Sequence, residues 1–245
     1  MNHKTLLISL LLAICIKSYS QKLVNSSNQQ WLQYFNQIEV AKKFILFSDL
    51  GLRTTNRCSQ INVLNLRAGL GYSVTKKIDG VSGIGIFALI ANNSIGRMEY
   101  RPYQDFSIKN KLGSFLVRQR LRLEARFFDQ IIATTDPSNV SFNIRGRYKI
   151  AFEIPVFQLS EKNKDKKILL NFSNEILLNA GRQITYNNFD SDRLSFGSTI
   201  QFSKNLNCAL NYTYQYSERN APSTFEHIDV LTLAITQKIG FNKNQ

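Results

Sequence analysis

The amino-acid sequence predicts an all-β fold, an antiparallel up-and-down transmembrane β-barrel of 10 to 12 strands. Three observations predict it. The chain begins with an export signal, apolar and polar side chains alternate through the rest of it, and its connections alternate between short and long. Alternation with a period of two residues indicates strands, and a meander with unequal connections is typical of membrane barrels.

The N-terminus has the pattern of a secretory signal peptide. His3 and Lys4 precede an apolar run over residues 6–16, and a short polar segment then ends at Ser20. The run of 11 residues is too short to cross a hydrocarbon core as a helix, which takes roughly 20 residues. We therefore expect a signal peptide over residues 1–20 and one barrel domain over residues 21–245, because no linker-like segment divides the remainder.

The charge of the exported chain indicates an anionic partner. Without Lys4 and Lys17 the chain has 29 basic and 17 acidic residues, a formal charge of +12. Nucleic acid, a lipid surface and an acidic solute are the general candidates, and export argues against nucleic acid. Cys58 and Cys208 remain after the signal is removed. We expect both to be free thiols, since the topology below places them at opposite ends of the barrel.

The clearest alternation covers residues 115–127, where apolar and charged side chains fall on opposite faces. The apolar face consists of Phe115, Val117, Leu121, Leu123, Ala125 and Phe127. The charged face consists of Arg118, Arg120, Arg122, Glu124 and Arg126. Residues 140–153 repeat the pattern, with Arg145, Arg147 and Lys149 on one face and apolar side chains on the other. Both segments are predicted strands.

Eleven segments in all have this alternation. They cover residues 32–40, 44–52, 64–72, 84–90, 100–108, 115–127, 140–153, 170–178, 194–202, 206–216 and 231–241. Single-chain bacterial barrels have an even number of strands, so eleven indicates a miscount. Twelve is favoured, with residues 22–30 as the added strand, and ten follows if the segment containing Trp31 is left out.

The connections between these segments differ in length and in lysine content. The short ones cover residues 41–42, 74–80, 109–112, 160–166 and 203–205, and each contains or adjoins a lysine. The long ones cover residues 54–60, 91–98, 129–139, 179–192 and 217–227, and none contains a lysine. We expect the short turns on the periplasmic side and the long loops outside the cell.

Strand length separates a membrane barrel from a soluble periplasmic β protein, which would alternate as well. The predicted strands mostly have 9 to 13 residues, close to the roughly 9–11 of a tilted membrane strand and longer than the ~5–6 usual in soluble domains. Aromatic residues near strand ends, such as Tyr100 and Phe127, fit interfacial girdles. We expect the cell outer membrane of a Gram-negative bacterium, with membrane lipid and the barrel-assembly machinery as partners. That machinery would read the terminal aromatic Phe241.

Several motifs in order resemble a known family. They are Gln30-Trp31-Leu32-Gln33-Tyr34, residues 121–127, residues 147–155, residues 174–179 and Phe189-Asp190-Ser191-Asp192-Arg193-Leu194. Together they look like the outer-membrane barrel family catalogued as domain of unknown function 2490, over residues 29–241. The resemblance implies the barrel fold and the outer membrane. It implies no catalytic residues, because the family has no established activity.

The sequence gives little support to an enzyme, a metal site or a cofactor. His227 is the histidine left after signal removal, and Glu226 and Asp229 flank it. A base oriented by a carboxylate is conceivable there, with an outer-membrane hydrolase as the corresponding function, but a solvated loop histidine is the simpler interpretation. Asp190 and Asp192 could hold a calcium ion, although ordinary loop turns explain them as well. We predict no catalytic residues, no metal and no cofactor.

The charged faces of the strands are the candidate functional residues. The predicted basic set is Arg67, Arg118, Arg120, Arg122, Arg126, Arg145, Arg147, Lys149 and Arg193, and the predicted acids are Asp49, Glu124, Glu153 and Glu175. Two hypotheses remain open. The basic excess could form a positive track in a small anion-preferring channel that admits anionic solutes. Alternatively, the charges could interlock into a salt-bridged plug in a non-conducting structural or surface-recognition barrel.

Overall fold

A computed structural model describes residues 23–130 and 141–240, and these residues form one closed β-barrel. The predicted signal peptide and Phe241 lie outside the described residues. Within the two described ranges, no helix is long and apolar enough to cross a membrane. The all-β fold class is confirmed.

The barrel consists of eleven strands. They are β1 (Leu23–Ala41), β2 (Phe44–Thr55), β3 (Gln60–Ser73), β4 (Ile78–Ala91), β5 (Ser94–Leu112), β6 (Phe115–Gln130), β7 (Phe142–Gln158), β8 (Lys167–Ala180), β9 (Phe189–Gln201), β10 (Leu206–Glu218) and β11 (Thr224–Gly240). Each strand pairs antiparallel with the next one in the chain. The barrel closes where β1 pairs with β11 in parallel, from Leu23 opposite Thr224 to Glu39 opposite Gly240.

The strand number lies within the predicted 10 to 12, but the preference for twelve was wrong. Residues 23–30 do not form a separate strand, because β1 continues without a turn through Trp31 to Ala41. The purely antiparallel arrangement also needs correction at one pair, since an odd number of strands forces β1 and β11 to run in the same direction. Leu23 therefore begins β1 at one end of the barrel, while Gly240 ends β11 at the other.

The two ends of the barrel differ in charge more than in connection length. We call the end with turns 42–43, 74–77, 113–114, 159–166 and 202–205 the lysine end, and the end with connections 56–59, 92–93, 131–141, 181–188 and 219–223 the loop end. The described lysines other than Lys149 all lie in or beside lysine-end turns. These lysines are Lys42, Lys43, Lys76, Lys77, Lys109, Lys111, Lys162, Lys164, Lys166, Lys167, Lys204 and Lys238.

The predicted contrast in length is only partly correct. The connection expected at residues 91–98 is a two-residue turn at Asn92 and Asn93, whose φ angles are 51° and 60°. Asparagine tolerates positive φ, and a two-residue hairpin turn of this hand suits twisted strands. At the lysine end, residues 159–166 form a connection as long as residues 181–188 at the loop end.

The alternation sorts apolar side chains to the outside of the barrel and polar side chains to the inside. Leu50, Leu123 and Phe196 are each more than half exposed on the outer face. Glu99, Glu124 and Ser191 are each at most 3% exposed inside. Tilted aromatic pairs also lie on the outer wall, including Phe127 with Phe142 at 4.9 Å between ring centroids. The barrel thus exposes large apolar side chains and buries many polar ones, which is the reverse of the arrangement in a soluble protein.

Glycines on β3 and β4 make room for the aromatic ring of Tyr103. A Cβ atom at Gly83 would lie 2.4 Å from the carbonyl oxygen of Ala68 and 2.6 Å from the Tyr103 ring. Glycine is therefore required by close approach rather than by backbone conformation. The centroid of the Tyr103 ring lies 4.4 Å from the guanidinium carbon of Arg122. Tyr103 is thus in contact with the charged side chains of the interior.

Both cysteines among the described residues are free, as predicted. Cys58 is exposed in the connection between β2 and β3 at the loop end, and Cys208 lies near the start of β10 at the lysine end. The length of the barrel separates the two thiols.

Candidate functional site

The strand register brings the inward charges into rows that run around the barrel. In one row Arg120 is opposite Lys149, Lys149 is opposite Glu175, and Glu175 is opposite Arg193. Residues that share a row point to the same face, because side chains alternate along every strand. Three basic groups and one carboxylate therefore share one level of the interior.

The next levels place further arginines against acids. Arg122 on β6 lies opposite Asp105 on β5 and donates from Nε and a terminal nitrogen to the two carboxylate oxygens, at 2.5 and 2.6 Å. Arg122 is also opposite Arg147 on β7, and Glu124 is opposite Arg145. Two like charges in one pair are unfavourable unless carboxylates lie beside both.

Glu124 supplies one of those carboxylates and is 3% exposed. Arg145 donates to its Oε2 from two nitrogens, at 2.8 and 2.6 Å, and Arg147 donates to its Oε1 at 2.9 Å. Charge-assisted hydrogen bonds of this kind are about twice as strong as neutral ones. Glu124 therefore fixes both guanidinium groups in the centre of the barrel.

Glu175 and Glu99 act in the same way at neighbouring levels. Glu175 accepts from Arg147 at 2.8 Å and from Arg120 at 2.6 Å, and Arg193 lies 3.9 Å from it. Glu99 is fully buried and accepts from Arg101 and Arg126, both at 2.5 Å. Buried carboxylates shared among arginines thus link most of the interior charges. We call this set the ion network: Glu99, Arg101, Asp105, Arg120, Arg122, Glu124, Arg126, Arg145, Arg147, Glu175, Asp190 and Arg193.

A layer of buried neutral side chains lies between the ion network and the loop end. Asn143, Asn179 and Ser191 are each at most 4% exposed. Asn179 donates to Asp190 at 3.1 Å, and Asp190 also accepts from Arg145 at 3.1 Å. Buried polar side chains therefore occupy the bore on its loop-end side, and among them Asn179 is hydrogen-bonded to the ion network.

Open space remains in two adjoining cavities, of which the larger extends to the lysine end. The larger, which we call the vestibule, has a volume of about 1040 Å³ and reaches the turn residues Gly113 and Ser114. The smaller, which we call the chamber, has a volume of about 420 Å³ and shares the wall residues Arg67, Arg120 and Lys149 with the vestibule. Glu99, Glu124 and Arg126 line neither cavity. The interior is thus a basic recess that is open towards one end.

The wall of the chamber is strongly basic. Its basic lining residues are Arg53, Arg67, Arg101, Arg120, Arg145, Arg147, Lys149 and Arg193, and its acidic ones are Glu153 and Glu175. Among the described residues, no carboxylate oxygen lies within 4.0 Å of a basic nitrogen of Arg53 or Lys149. Arg53 instead stacks on the indole of Trp31, at 4.1 Å from the ring centroid.

The predicted basic and acidic residues all lie on the inner wall, but they do not form a uniform track. Arg120, Arg122, Arg126, Arg145, Arg147 and Arg193 belong to the ion network together with Glu124 and Glu175. Arg67 pairs with Asp49 at 2.8 Å, beside the chamber. Arg118 and Glu153, at 3.2 Å, are more exposed and lie in the vestibule. Lys149 lines both cavities.

Five charges of the chamber and the ion network were not predicted from the sequence, for three different reasons. Arg53 and Glu99 fall one residue outside the predicted strands 44–52 and 100–108, whereas β2 and β5 include them. Arg101 and Asp105 alternate with Tyr100 and Phe106 inside the predicted strand, so the same pattern could have identified them. The fifth, Asp190, could not be found by alternation.

A β-bulge in the pairing of β8 with β9 explains why Asp190 points into the barrel although the alternation does not predict it. Leu177 is opposite Ser191 but Leu178 is opposite Phe189, so Asp190 has no partner residue on β8. A bulge re-aims one side chain, and here it turns Asp190 inward to Arg145 while Asp192 bonds to Asn174 at 2.6 Å. The two aspartates thus have different partners, which argues against the calcium site considered for them.

His227 lies within β11 and not in a loop, contrary to the sequence-based prediction. Its Nε2 is 3.3 Å from Asp229, and its ring centroid is 4.3 Å from that of Tyr214. It lines neither the chamber nor the vestibule. His227 is therefore separate from the ion network.

The family model described as "Protein of unknown function (DUF2490)" matches residues 28–226. This covers most of the chain. The chain belongs to this family. The resemblance noted in the sequence is therefore confirmed, and the DUF2490 segment contains the ion network and most of the chamber wall. No curated protein and no solved structure matches the chain.

Replacing Glu124 with Gln tests the ion network in this DUF2490 barrel. The change leaves Arg145 and Arg147 buried with one fewer negative charge between them, and we expect the free energy of unfolding to fall by about 3 kcal/mol or more. Denaturant titration of the refolded protein measures it. Glu153→Gln is the matched control, because Glu153 and its partner Arg118 are 30% and 44% exposed and such pairs contribute about 1 kcal/mol or less. Equal losses in the two variants would contradict the network.

Proposed function

We propose that this chain is a non-conducting outer-membrane β-barrel, with its bore closed by the ion network and a basic recess open at the lysine end. The observation that carries the proposal is the position of Glu124, which is 3% exposed and holds Arg145 and Arg147 across the bore. Every guanidinium held in this way occupies space that a permeating ion would need.

The outer surface supports a membrane location. Large apolar side chains are exposed on all eleven strands, for example Leu32 on β1, Leu121 on β6 and Leu233 on β11. Soluble monomers rarely expose apolar patches above a few hundred Å², whereas a barrel in a membrane requires such a belt. A closed barrel also leaves no unpaired strand edge in the hydrocarbon. On this proposal, membrane lipid surrounds the belt and the barrel-assembly machinery inserts it.

The two ends support one orientation. The lysine end carries two of the three two-residue turns between described strands, residues 42–43 and 113–114. At the loop end, β6 ends at Gln130 and β7 begins at Phe142, which is the widest separation in sequence between consecutive strands. Short turns are typical of the periplasmic side. We therefore propose that the vestibule opens to the periplasm, from which small anionic solutes would enter it.

A small anion-preferring channel is the second candidate. The basic surplus of the chamber favours it, because a positive lumen admits anions. It requires a continuous path past Glu99 and Glu124, where the side chains are buried and hydrogen-bonded. The two proposals therefore differ in whether the wild-type protein conducts.

Planar-bilayer recording distinguishes them. We expect the wild type to show no steady conductance. Truncating Glu124, Arg145 and Arg147 together to Ala should create a measurable, anion-preferring conductance, because the bore then loses the side chains that cross it while other basic residues remain. Folding of the triple variant is checked by heat-modifiable migration on gels. Steady anion-selective current through the wild type would reject the closed barrel in favour of the channel.

Native Cys58 tests location and orientation. We expect a membrane-impermeant maleimide to label Cys58 in intact cells, since this thiol is exposed at the loop end. In a Cys58→Ser background, Lys204→Cys should react only after the outer membrane is permeabilised, because residue 204 lies in a lysine-end turn. The reverse result would invert the orientation, and recovery of unlabelled protein in the soluble fraction would contradict the membrane location.

A further inference from the structure

We infer that the chamber is a binding site for a small solute that carries phosphate groups and enters through the vestibule. The inference deepens the proposed function, because it rests on a recess that is closed towards the loop end. Three observations carry it: an uncompensated positive charge in the chamber, an arginine prepared to receive a ligand, and a basic entry path.

The positive charge of the chamber exceeds what its carboxylates can balance. Acids outside the chamber wall pair with Arg67, Arg101 and Arg145, while Arg53 and Lys149 have no carboxylate partner among the described residues. The wall itself has eight basic and two acidic residues. One of these acids, Glu175, is already shared by Arg120, Arg147 and Arg193. Burying unpaired charges is costly, and a bound anion removes that cost.

Arg53 is held in a position that favours ligand binding. It lies opposite Trp31 in the pairing of β1 with β2, and the guanidinium carbons of Arg53 and Arg193 lie 4.1 and 5.6 Å from the centroid of the Trp31 ring. Stacking uses the face of a guanidinium and leaves its in-plane N–H donors available. Nε of Arg53 is buried and has no hydrogen-bond partner within the described part of the chain.

Lys149 and Arg120 extend the donor set on the far side of the chamber. Lys149 shares its row with Arg120 and Glu175 and has no carboxylate within salt-bridge distance in the described residues. Nε of Arg120 is also buried without a hydrogen-bond partner there. The wall of the chamber therefore contains basic groups with an unpartnered donor nitrogen or no carboxylate partner on three strands, β2, β6 and β7.

The entry path has the same sign of charge. Ten basic and four acidic residues line the vestibule, which adjoins the chamber along shared wall residues. Lys167, Lys204 and Lys238 are among the basic ones. A cleft with a surplus of one sign of charge concentrates ions of the opposite sign and speeds their association. An anion would thus be drawn from the lysine end towards Arg53.

Phosphate groups match this donor set best. Arginine donates two parallel hydrogen bonds to oxyanions, and a phosphate carries more than one negative charge near neutral pH, so one group can compensate two of the unpaired cations. The chamber volume of about 420 Å³ lies within the ~300–1,000 Å³ typical of small-molecule sites. Inorganic pyrophosphate is therefore a suitable probe.

The test is a titration of the refolded, full-length mature protein in detergent micelles with inorganic pyrophosphate, at an ionic strength held constant with sodium chloride. Trp31 is the single tryptophan of the chain and lines the chamber, so its emission reports binding. We expect a saturable change in emission and a rise in Tm. The double variant Arg53→Gln/Lys149→Gln should bind at least tenfold more weakly.

Arg57→Gln is the matched control, because it removes one positive charge from an exposed loop-end position outside both cavities. It should bind like the wild type. Without pyrophosphate, the double variant should melt at or above the wild-type temperature, since it loses two half-buried charges that have no carboxylate partner among the described residues. If that variant fails to fold, Lys149→Gln alone provides the same comparison.

Two results would overturn the site: no saturation in the wild type, or an equal loss of binding in Arg57→Gln and the double variant. Bilayer recordings on the same preparation separate this failure from failure of the proposed function. A silent wild type that ignores pyrophosphate rejects the binding site alone, whereas a conducting wild type rejects the closed barrel.

Discussion

The sharing of buried carboxylates among several arginines is the interaction on which the rest of the interior depends. A barrel with an apolar outside has polar side chains inside, and here many of them are arginines. Arginine cannot release its proton at ordinary pH, so each buried guanidinium requires an acceptor. Glu99, Glu124 and Glu175 meet this need by accepting from two or more arginines each. These carboxylate and guanidinium groups therefore stabilise the barrel wall and also occupy the bore.

The uneven distribution of these acids explains why the two halves of the interior differ. Towards the loop end, Glu124 and Asp190 meet Arg145, and buried amides complete the packing. Around the chamber, Glu175 serves three arginines, while Arg53 and Lys149 have no carboxylate partner in the described residues. Space and positive charge therefore occur together. A recess of this kind suits ligand binding, whereas a channel needs the charge to line an open path.

Alternation in the sequence was sufficient to predict the fold class and the inward face of β6, because a period of two residues assigns each side chain to one face. It could not predict which acid each arginine meets, since those contacts depend on the register between strands distant in sequence, as for Arg120 and Glu175. The expectation of an even strand number led to the prediction of twelve strands, because nothing in the sequence of residues 23–30 shows that they continue into the strand that contains Trp31. Arg53 was not predicted as an interior charge because the predicted strand ended at residue 52, and Asp190 was not predicted because a bulge interrupts the alternation there.

The most direct test of the shared-carboxylate account is a double-mutant cycle between Glu124 and Arg147, which lie 2.9 Å apart with both side chains at most 10% exposed. Unfolding free energies are measured for Glu124→Gln, for Arg147→Gln and for the double variant. The account predicts a coupling free energy of roughly 1–3 kcal/mol, because the two groups share one buried hydrogen-bonded network. Additive effects, within about 0.5 kcal/mol, would show that the pair is not coupled in the folded barrel and would contradict the account.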